Sequence, residues 1–491
     1  MDILLNTGSF SLASGWFLIA FLILLMGYVA VIGKRRARNM YLLAFSMFFY
    51  WKLSGWYVLL LVAVAFNDWM LGRAVVGKEG VRRKWPVAVC VAVDVAVLVF
   101  FKASGLFSGL IEVLSGKETL SVGSILIPAG ISFLVFQSVS YVVDIYRGRI
   151  SPVGYFPDYL LMLSFFPKMT LGPLVRNDDF IRQIGRDGIV ITREDIGEAA
   201  ALIARGIIKY CVIARCVGAL ITAPIFSESA AQAGSTALLG VYAFAIQIYC
   251  DFSGYTDLAT GISLLMGFRL PLNFDAPYKS ATITEFWRRW HISLSSWLRE
   301  YLYIPLGGNR KGKIRTYINL ILTMFLGGLW HGIGFTFVIW GLLHGIALSL
   351  HKLWLSAFPG AHKTGEGMSP LQRMGGILIT FHIVLLGWLF FNASDAGQAF
   401  SMLGSMFTDF NTGALVSFAK DAAPAVVLMA AGYLMHFLPS SWNAGFSRIC
   451  SSGGIVLCVI VIVAAIWIAL QAQGMFLSPS DAAGLPIYAN F

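Results

Sequence analysis

Charge is what this chain has least of. Asp, Glu, Lys and Arg make up 12% of its 491 residues, about half of what a soluble domain carries, while hydrophobic residues reach 58% and mean hydropathy is +0.75. That scarcity excludes an ordinary soluble fold. It predicts an all-α polytopic membrane protein, because helices satisfy their own backbone hydrogen bonds in lipid. Cysteine is scarce too. Cys90, Cys211, Cys216, Cys250, Cys450 and Cys458 lie in or beside apolar runs without metal-ligand spacing, so they read as small core residues and no metal site is expected. No Gly-x-Ser-x-Gly elbow, P-loop or His-Glu-x-x-His run occurs, which removes support for covalent serine catalysis, nucleotide hydrolysis and zinc hydrolysis. A signal peptide is also missing: the first apolar segment, from about Trp16 to Ile32, has no basic leader and reads as a retained anchor. Without repeats, low-complexity tracts or a soluble segment, residues 1–491 are expected to form a single membrane-embedded domain.

The formal charge of +11 is distributed as membrane topology requires rather than as a nucleic-acid footprint. Lys34, Arg35, Arg36 and Arg38 follow the first apolar segment, and Arg73, Lys78, Arg82, Arg83 and Lys84 follow the third. The positive-inside rule puts both groups in the cytoplasm and the N-terminus outside. Spans of roughly 20 residues are expected near 14–33, 39–51, 54–72, 86–108, 123–144, 199–222, 236–266, 316–330, 333–354, 371–391, 423–439 and 454–473. Most Lys and Arg then fall on one side. Two segments on that side are too apolar for plain loops. In Tyr155 to Arg176, Pro167, Gly172 and Pro173 break any helix, so this stretch should be re-entrant or interfacial. From Thr284 to Tyr303, Trp287, Trp290, Trp297, Tyr301 and Tyr303 alternate with Arg288, Arg289 and Arg299, a composition suited to the membrane boundary.

Several polar residues are forced into hydrocarbon. His331 ends an apolar run that begins at Tyr317 and lies between Trp330 and Gly332. Acyl transfer to a hydroxyl needs a base, and neutral imidazole suits that role at physiological pH; a hydrogen-bonded core histidine is the other reading. Gly327, Gly328, Gly332 and Gly334 would let a substrate or another helix approach closely, and in such a wet cavity alanine at 331 should cost little stability. His291, in the boundary segment, is either an ordinary amphipathic-helix residue or part of the site. His344 follows His331 by 13 residues, roughly 220° around a continuous helix, so the two cannot share a cavity unless the glycines break that helix, and His344 reads as structural; His351, His362, His382 and His436 carry no motif. Asp251 and Asp257, near Gln247, either line a functional cavity or pair with Arg205, Lys209 or Arg215. Arg310, Lys311, Lys313 and Arg315 would attract phosphates, or serve only as topology determinants.

The runs Phe286-Trp287-Arg288-Arg289-Trp290-His291-Ile292-Ser293-Leu294-Ser295, Tyr301-Leu302-Tyr303-Ile304-Pro305-Leu306-Gly307-Gly308-Asn309-Arg310 and Leu326-Gly327-Gly328-Leu329-Trp330-His331-Gly332 resemble the signature of the membrane-bound O-acyltransferase family, in the wording of its bacterial alginate O-acetylation subgroup. Pro128 to Phe133, Gln247 to Tyr255, Trp340 to Gly345 and Leu485 to Phe491 add to it. The resemblance implies a ring of 11–13 transmembrane helices, with re-entrant or interfacial helices, around a central channel. It implies that His331 is the essential histidine and His291 the second, and that no cofactor is bound permanently. An acyl donor such as acetyl-CoA, met by Arg310, Lys311, Lys313 and Trp330, would arrive from the cytoplasm. The acyl group would leave for an extracytoplasmic acceptor, often through a periplasmic acetyltransferase partner of a polysaccharide acetylation complex. One departure is the ending Ile487-Tyr488-Ala489-Asn490-Phe491, where the subgroup tends toward Ile-Tyr-Phe-Gln-Phe; a partner that touches this tail would differ here. O-acetylation of a secreted polysaccharide at the bacterial inner membrane is the expectation, with D-alanyl transfer to teichoic acid or ion-coupled transport through Asp251 and Asp257 as alternatives.

Overall fold

The computed structural model describes residues 11–77, 80–103, 127–227, 233–358, 360 and 364–477; Lys78, Lys117, His362 and the terminal Leu485–Phe491 lie outside them. Helices α1 to α7 are Gly15–Val31, Arg35–Ser54, Tyr57–Val75, Trp85–Lys102, Ile131–Arg147, Phe156–Ser164 and Asn177–Ile184. Then α8 is Arg193–Ser227, with π-helical stretches inside it, and α9 is Gly234–Leu264. Next come α10 to α14: Ile283–Arg289, Ile292–Trp297, Lys313–His331, Phe335–Ala357 and Pro370–Asn392. Last are α15 to α18: Ala396–Thr408, Thr412–Asp421, Ala423–Phe437 and Ser440–Phe476. No strand occurs among the described residues, only a bridge between Val76 and Arg82.

The chain is an all-α polytopic membrane protein. Seven of the described helices are long and apolar enough to cross a bilayer, or eight if α16 and α17, bent by 94°, count as one span. Other expected spans fall on helices that are shorter or more polar: α1 has 17 residues, and α2 carries Arg35, Arg36, Arg38 and Lys52. The chain sorts into two compact units interleaved in sequence. One holds residues up to Ala199 with Leu258–Pro271, and the other holds Ala200–Asp257 with Leu272–Gly484.

In the first unit the proline-broken stretch after α6 is buried by protein without being helical, the condition under which irregular backbone is tolerated in a membrane. Phe165 and Phe166 are completely buried. Phe166 packs on Phe45 and Phe49, at centroid distances of 4.9 and 5.7 Å, and its N–H donates to Ser46 Oγ at 3.2 Å. Gly130 permits the close fit. Its φ is +70°, and a Cβ there would stand 2.1 Å from the Met169 carbonyl oxygen.

Lys168, buried in this stretch, reaches Gln137 Oε1 at 3.4 Å and lies over the Phe180 ring at 4.8 Å. Burial pushes its amine down to about 7. The unfolded chain therefore binds more protons than the folded one between about pH 7 and the ordinary lysine value near 10.4, so this residue makes stability rise with pH across that window. Replacing Lys168 by Met should raise the thermal midpoint in detergent most at pH 7, and the advantage should shrink toward pH 10. An advantage that did not change with pH would refute a depressed amine.

In the second unit Asp257 on α9 accepts from Arg205 Nε and Nη2, each at 2.8 Å, and from Lys209 Nζ at 2.9 Å. Of the two readings open for this aspartate, pairing within the bundle is the one realised. Asp251 is buried, and it lies near Arg215.

Candidate active site

The site is built from α10 to α14, all within the second unit. Thr282 starts α10, its hydroxyl accepting from the Glu285 N–H at 3.1 Å. Glu285 is held by Arg289 at 3.0 Å and by the backbone N–H groups of Ala281 and Gly365 at 2.9 and 3.0 Å. This braces the Phe286–His291 motif. At its end His291 has φ +43°, in the left-handed region. Asn273 fixes that turn: its carbonyl accepts from the Ile292 N–H at 2.9 Å, and its side-chain oxygen accepts from Ser293 N and Oγ at 3.1 and 2.8 Å. The same oxygen lies 3.2 Å from His291 Nδ1. An amide oxygen can only accept, so Nδ1 carries the proton and Nε2 is the basic nitrogen.

His291 is thus not a surface residue of an amphipathic helix. It is 1% exposed and packs edge-to-face with the Phe252 ring at 4.6 Å. Burial pushes its imidazole down to about 3, so it is neutral at physiological pH.

Helix α12, 19 residues long, carries Lys313 of the basic turn at its first residue and His331 at its last, about 27 Å apart. Arg310, Lys311 and Lys313 are exposed at its start. The turn is tied down by Asn309, which accepts from Lys352 Nζ at 2.9 Å, and by Asn319, which donates to the Gly308 carbonyl at 3.2 Å.

At the other end His331 is the last residue of α12 and is 4% exposed. Its ring is walled by Trp330, Trp340 and Phe391 at 4.6, 5.1 and 5.1 Å. The expectation that alanine at 331 costs little stability is therefore corrected, because the imidazole fills space among three aromatic rings. An amide is the better isosteric replacement.

The glycines around His331 divide into two kinds. A Cβ at Gly328 would stand 2.3 Å from the Phe337 carbonyl oxygen, and one at Gly341 would stand 2.5 Å from that of Met324. These residues let α12 and α13 cross backbone to backbone. A Cβ at Gly327 would meet only Leu298 Cδ1, at 3.5 Å. Gly328→Ala should therefore lower the yield and melting temperature of the detergent-solubilised protein, while Gly327→Ala is tolerated. Equal behaviour of the two variants in a thermal-shift comparison would contradict the crossing.

The structure also brings in a residue that sequence spacing set aside. The helix breaks after His331, so the argument from 13 continuous residues does not hold. His344 on α13 is completely buried and packs on Trp340 at 5.0 Å, making Trp340 a wall shared with His331. His344 Nδ1 accepts from Trp287 Nε1 at 3.3 Å, and its Nε2, without a hydrogen-bond partner, faces Gly387, whose Cβ would stand 2.7 Å away. Trp287 thus ties the aromatic motif of α10 to the α12–α13 joint. The signal available in the sequence was the Gly332-Ile333-Gly334 break. His351, His382 and His436 have hydrogen-bonding roles, facing Thr284 Oγ1, Tyr242 Oη and Tyr278 N at 2.7, 2.9 and 3.1 Å.

Residues 153–392, which contain His291, His331, His344 and the rings around them, match the membrane-bound O-acyltransferase family. Across 81% of its length the chain is 38% identical to a probable alginate O-acetylase of Pseudomonas putida, covering 80% of that protein. It is 40% identical to a probable alginate O-acetylase of Azotobacter vinelandii, covering 81% of this chain and 78% of the relative. It is also 33% identical to a peptidoglycan O-acetyltransferase of Helicobacter pylori, covering 81% and 79%.

Proposed function

This chain belongs to the membrane-bound O-acyltransferase family and is an acyltransferase, and from that premise we propose that it moves acetyl groups from cytoplasmic acetyl-CoA toward hydroxyls of a secreted, alginate-like polysaccharide. The reading is carried by His331, an imidazole enclosed by Trp330, Trp340 and Phe391 at the joint of two closely crossing helices inside the family-matching segment. His331 takes the proton of the attacking hydroxyl as its oxygen bonds to the thioester carbon; the carbon–sulfur bond then breaks and the leaving thiolate is reprotonated. The surrounding rings keep water from competing for the thioester. His291, neutral and held by Asn273 with Nε2 basic, orients the reacting groups. Periplasmic acetyltransferase partners receive the acetyl group. The protein sits in the bacterial inner membrane with its N-terminus outside, as the basic groups after the first and third apolar segments favour.

Two measurements test this reading. Polysaccharide from a strain lacking the chain should lose its O-acetyl groups and regain them on complementation. Acetyl loss confined to peptidoglycan would replace the proposed acceptor. The exposed Arg310, Lys311 and Lys313 attract the donor's phosphates, so neutralising all three should raise the KM for acetyl-CoA severalfold, more at low salt where screening is weakest. An unchanged KM would leave them as topology determinants.

A further inference from the structure

The first unit contains a buried cluster that this chemistry does not use. Asp68 lies on α3, Cys90 and Asp94 one turn apart on α4, Ser138 on α5 and Tyr159 on α6, and all five side chains are completely buried. Cys90 Sγ is 3.6 Å from Asp68 Oδ1 and 3.5 Å from Asp94 Oδ2, and the three ligand atoms lie within 4.8 Å of one another. We propose that Asp68, Cys90 and Asp94 form a closed structural site for one zinc ion.

Charge is the first argument. Two carboxylates inside membrane helices repel strongly at low dielectric, and among the described residues neither has a Lys or Arg partner. A thiol has one hydrogen and cannot donate to both, so the trio needs an added proton or a cation. Asp68 is dressed as an ionised acceptor, taking hydrogen bonds from Ser138 Oγ at 2.5 Å and Asn67 Nδ2 at 3.1 Å.

Geometry is the second. Zinc bound tetrahedrally at about 2.3 Å to sulfur and about 2.0 Å to oxygen gives a sulfur–oxygen edge of roughly 3.5 Å, the separation found for both pairs. One soft thiolate with two carboxylates, enclosed and with few ligands, suits zinc rather than magnesium or calcium, which want six or more oxygens or retained waters.

A third observation is independent of the acids. The Tyr159 hydroxyl is buried without a hydrogen-bond partner and is turned toward Asp68, Ser138 and Cys90. It is placed to donate to a metal-bound carboxylate oxygen or to occupy the fourth position. Binding expels the thiol proton and leaves a formal single negative charge on the site, over oxygens that accept from Ser138, Asn67 and Tyr159. The ion would clamp α3 to α4, with α5 and α6 attached through those hydroxyls. Cysteine spacing could not reveal such a site, because two of its three ligands are carboxylates.

The test is metal analysis of the full-length, tag-free protein, purified in detergent from zinc-supplemented cells and washed with a mild chelator. Wild type should hold about one zinc per chain, and Cys90→Ala and Asp94→Asn should lose it about tenfold or more. Folded wild type without stoichiometric zinc, or unchanged zinc in both variants, would overturn the proposal in favour of a proton shared by the carboxyls. If the variants fail to fold, wild type grown with cobalt decides. A thiolate-to-cobalt charge-transfer band is the expected result, and its absence would overturn the site.

Discussion

Membranes carrying His331→Asn should contain a near-normal amount of folded protein yet transfer acetyl groups about 10²- to 10⁴-fold more slowly, the usual loss when a general base is removed. Asparagine is the informative substitution because the His331 ring is packed against Trp330, Trp340 and Phe391. Alanine would remove the base and also open a void among those rings, combining a catalytic loss with a packing loss of a few kcal/mol. The two contributions separate on comparison. Asparagine should show the rate loss with little change in melting temperature, whereas alanine should show both. His291→Ala should behave differently again, because Asn273 loses one of its partners, at 3.2 Å, and Phe252 loses the ring packed against it at 4.6 Å. A weaker rate defect with a clear stability defect is the outcome expected there. A normal rate in well-folded His331→Asn would remove the proposed base.

The second large effect concerns stability alone. Asp257→Ala should destabilise the protein by about 3–5 kcal/mol, the cost of removing one partner from a buried ion pair. Arg205 and Lys209, with side chains 24% and 11% exposed, would then face each other without their shared carboxylate. The triple replacement Arg205→Met with Lys209→Met and Asp257→Leu should recover much of that stability, since a well-packed apolar replacement is often neutral. The transport alternative requires the opposite result: stability retained in Asp257→Ala and function lost. Expression level, melting temperature and acetyl transfer measured on the same preparations tell the two apart.

How far the sequence could be read depended on the range of the physics involved. Low charge and long apolar runs are summed over many residues, so the membrane class and the all-α fold were legible. The proline-broken stretch near Pro167 was legible too, since proline acts on its own backbone. His331 stood out because an imidazole in hydrocarbon is costly wherever it points. What stayed hidden were the partners. Nothing local in the sequence says that Asn273 holds His291 or that Trp287 donates to His344. The place of His344 beside Trp340 stayed hidden because a helical period continued across Gly332 does not apply where the helix ends. Gly328 and Gly327 are adjacent and chemically identical, yet only Gly328 faces the backbone of α13, a distinction that exists only once α12 and α13 are packed. Cys90 was read as a small apolar residue because its polar neighbours lie on other turns and another helix.

The most direct test follows both products of the reaction in the same tube. Inside-out membrane vesicles containing equal amounts of folded wild-type or His331→Asn protein are loaded with the periplasmic acceptor fraction in their lumen and given acetyl-labelled acetyl-CoA from outside. Wild type should release free CoA and place an equal amount of label as O-acetyl in the acceptor, and His331→Asn should do neither above the background of vesicles lacking the protein. CoA release and acceptor labelling that are the same for both proteins would contradict the account, as would a wild type that leaves acetyl-CoA intact.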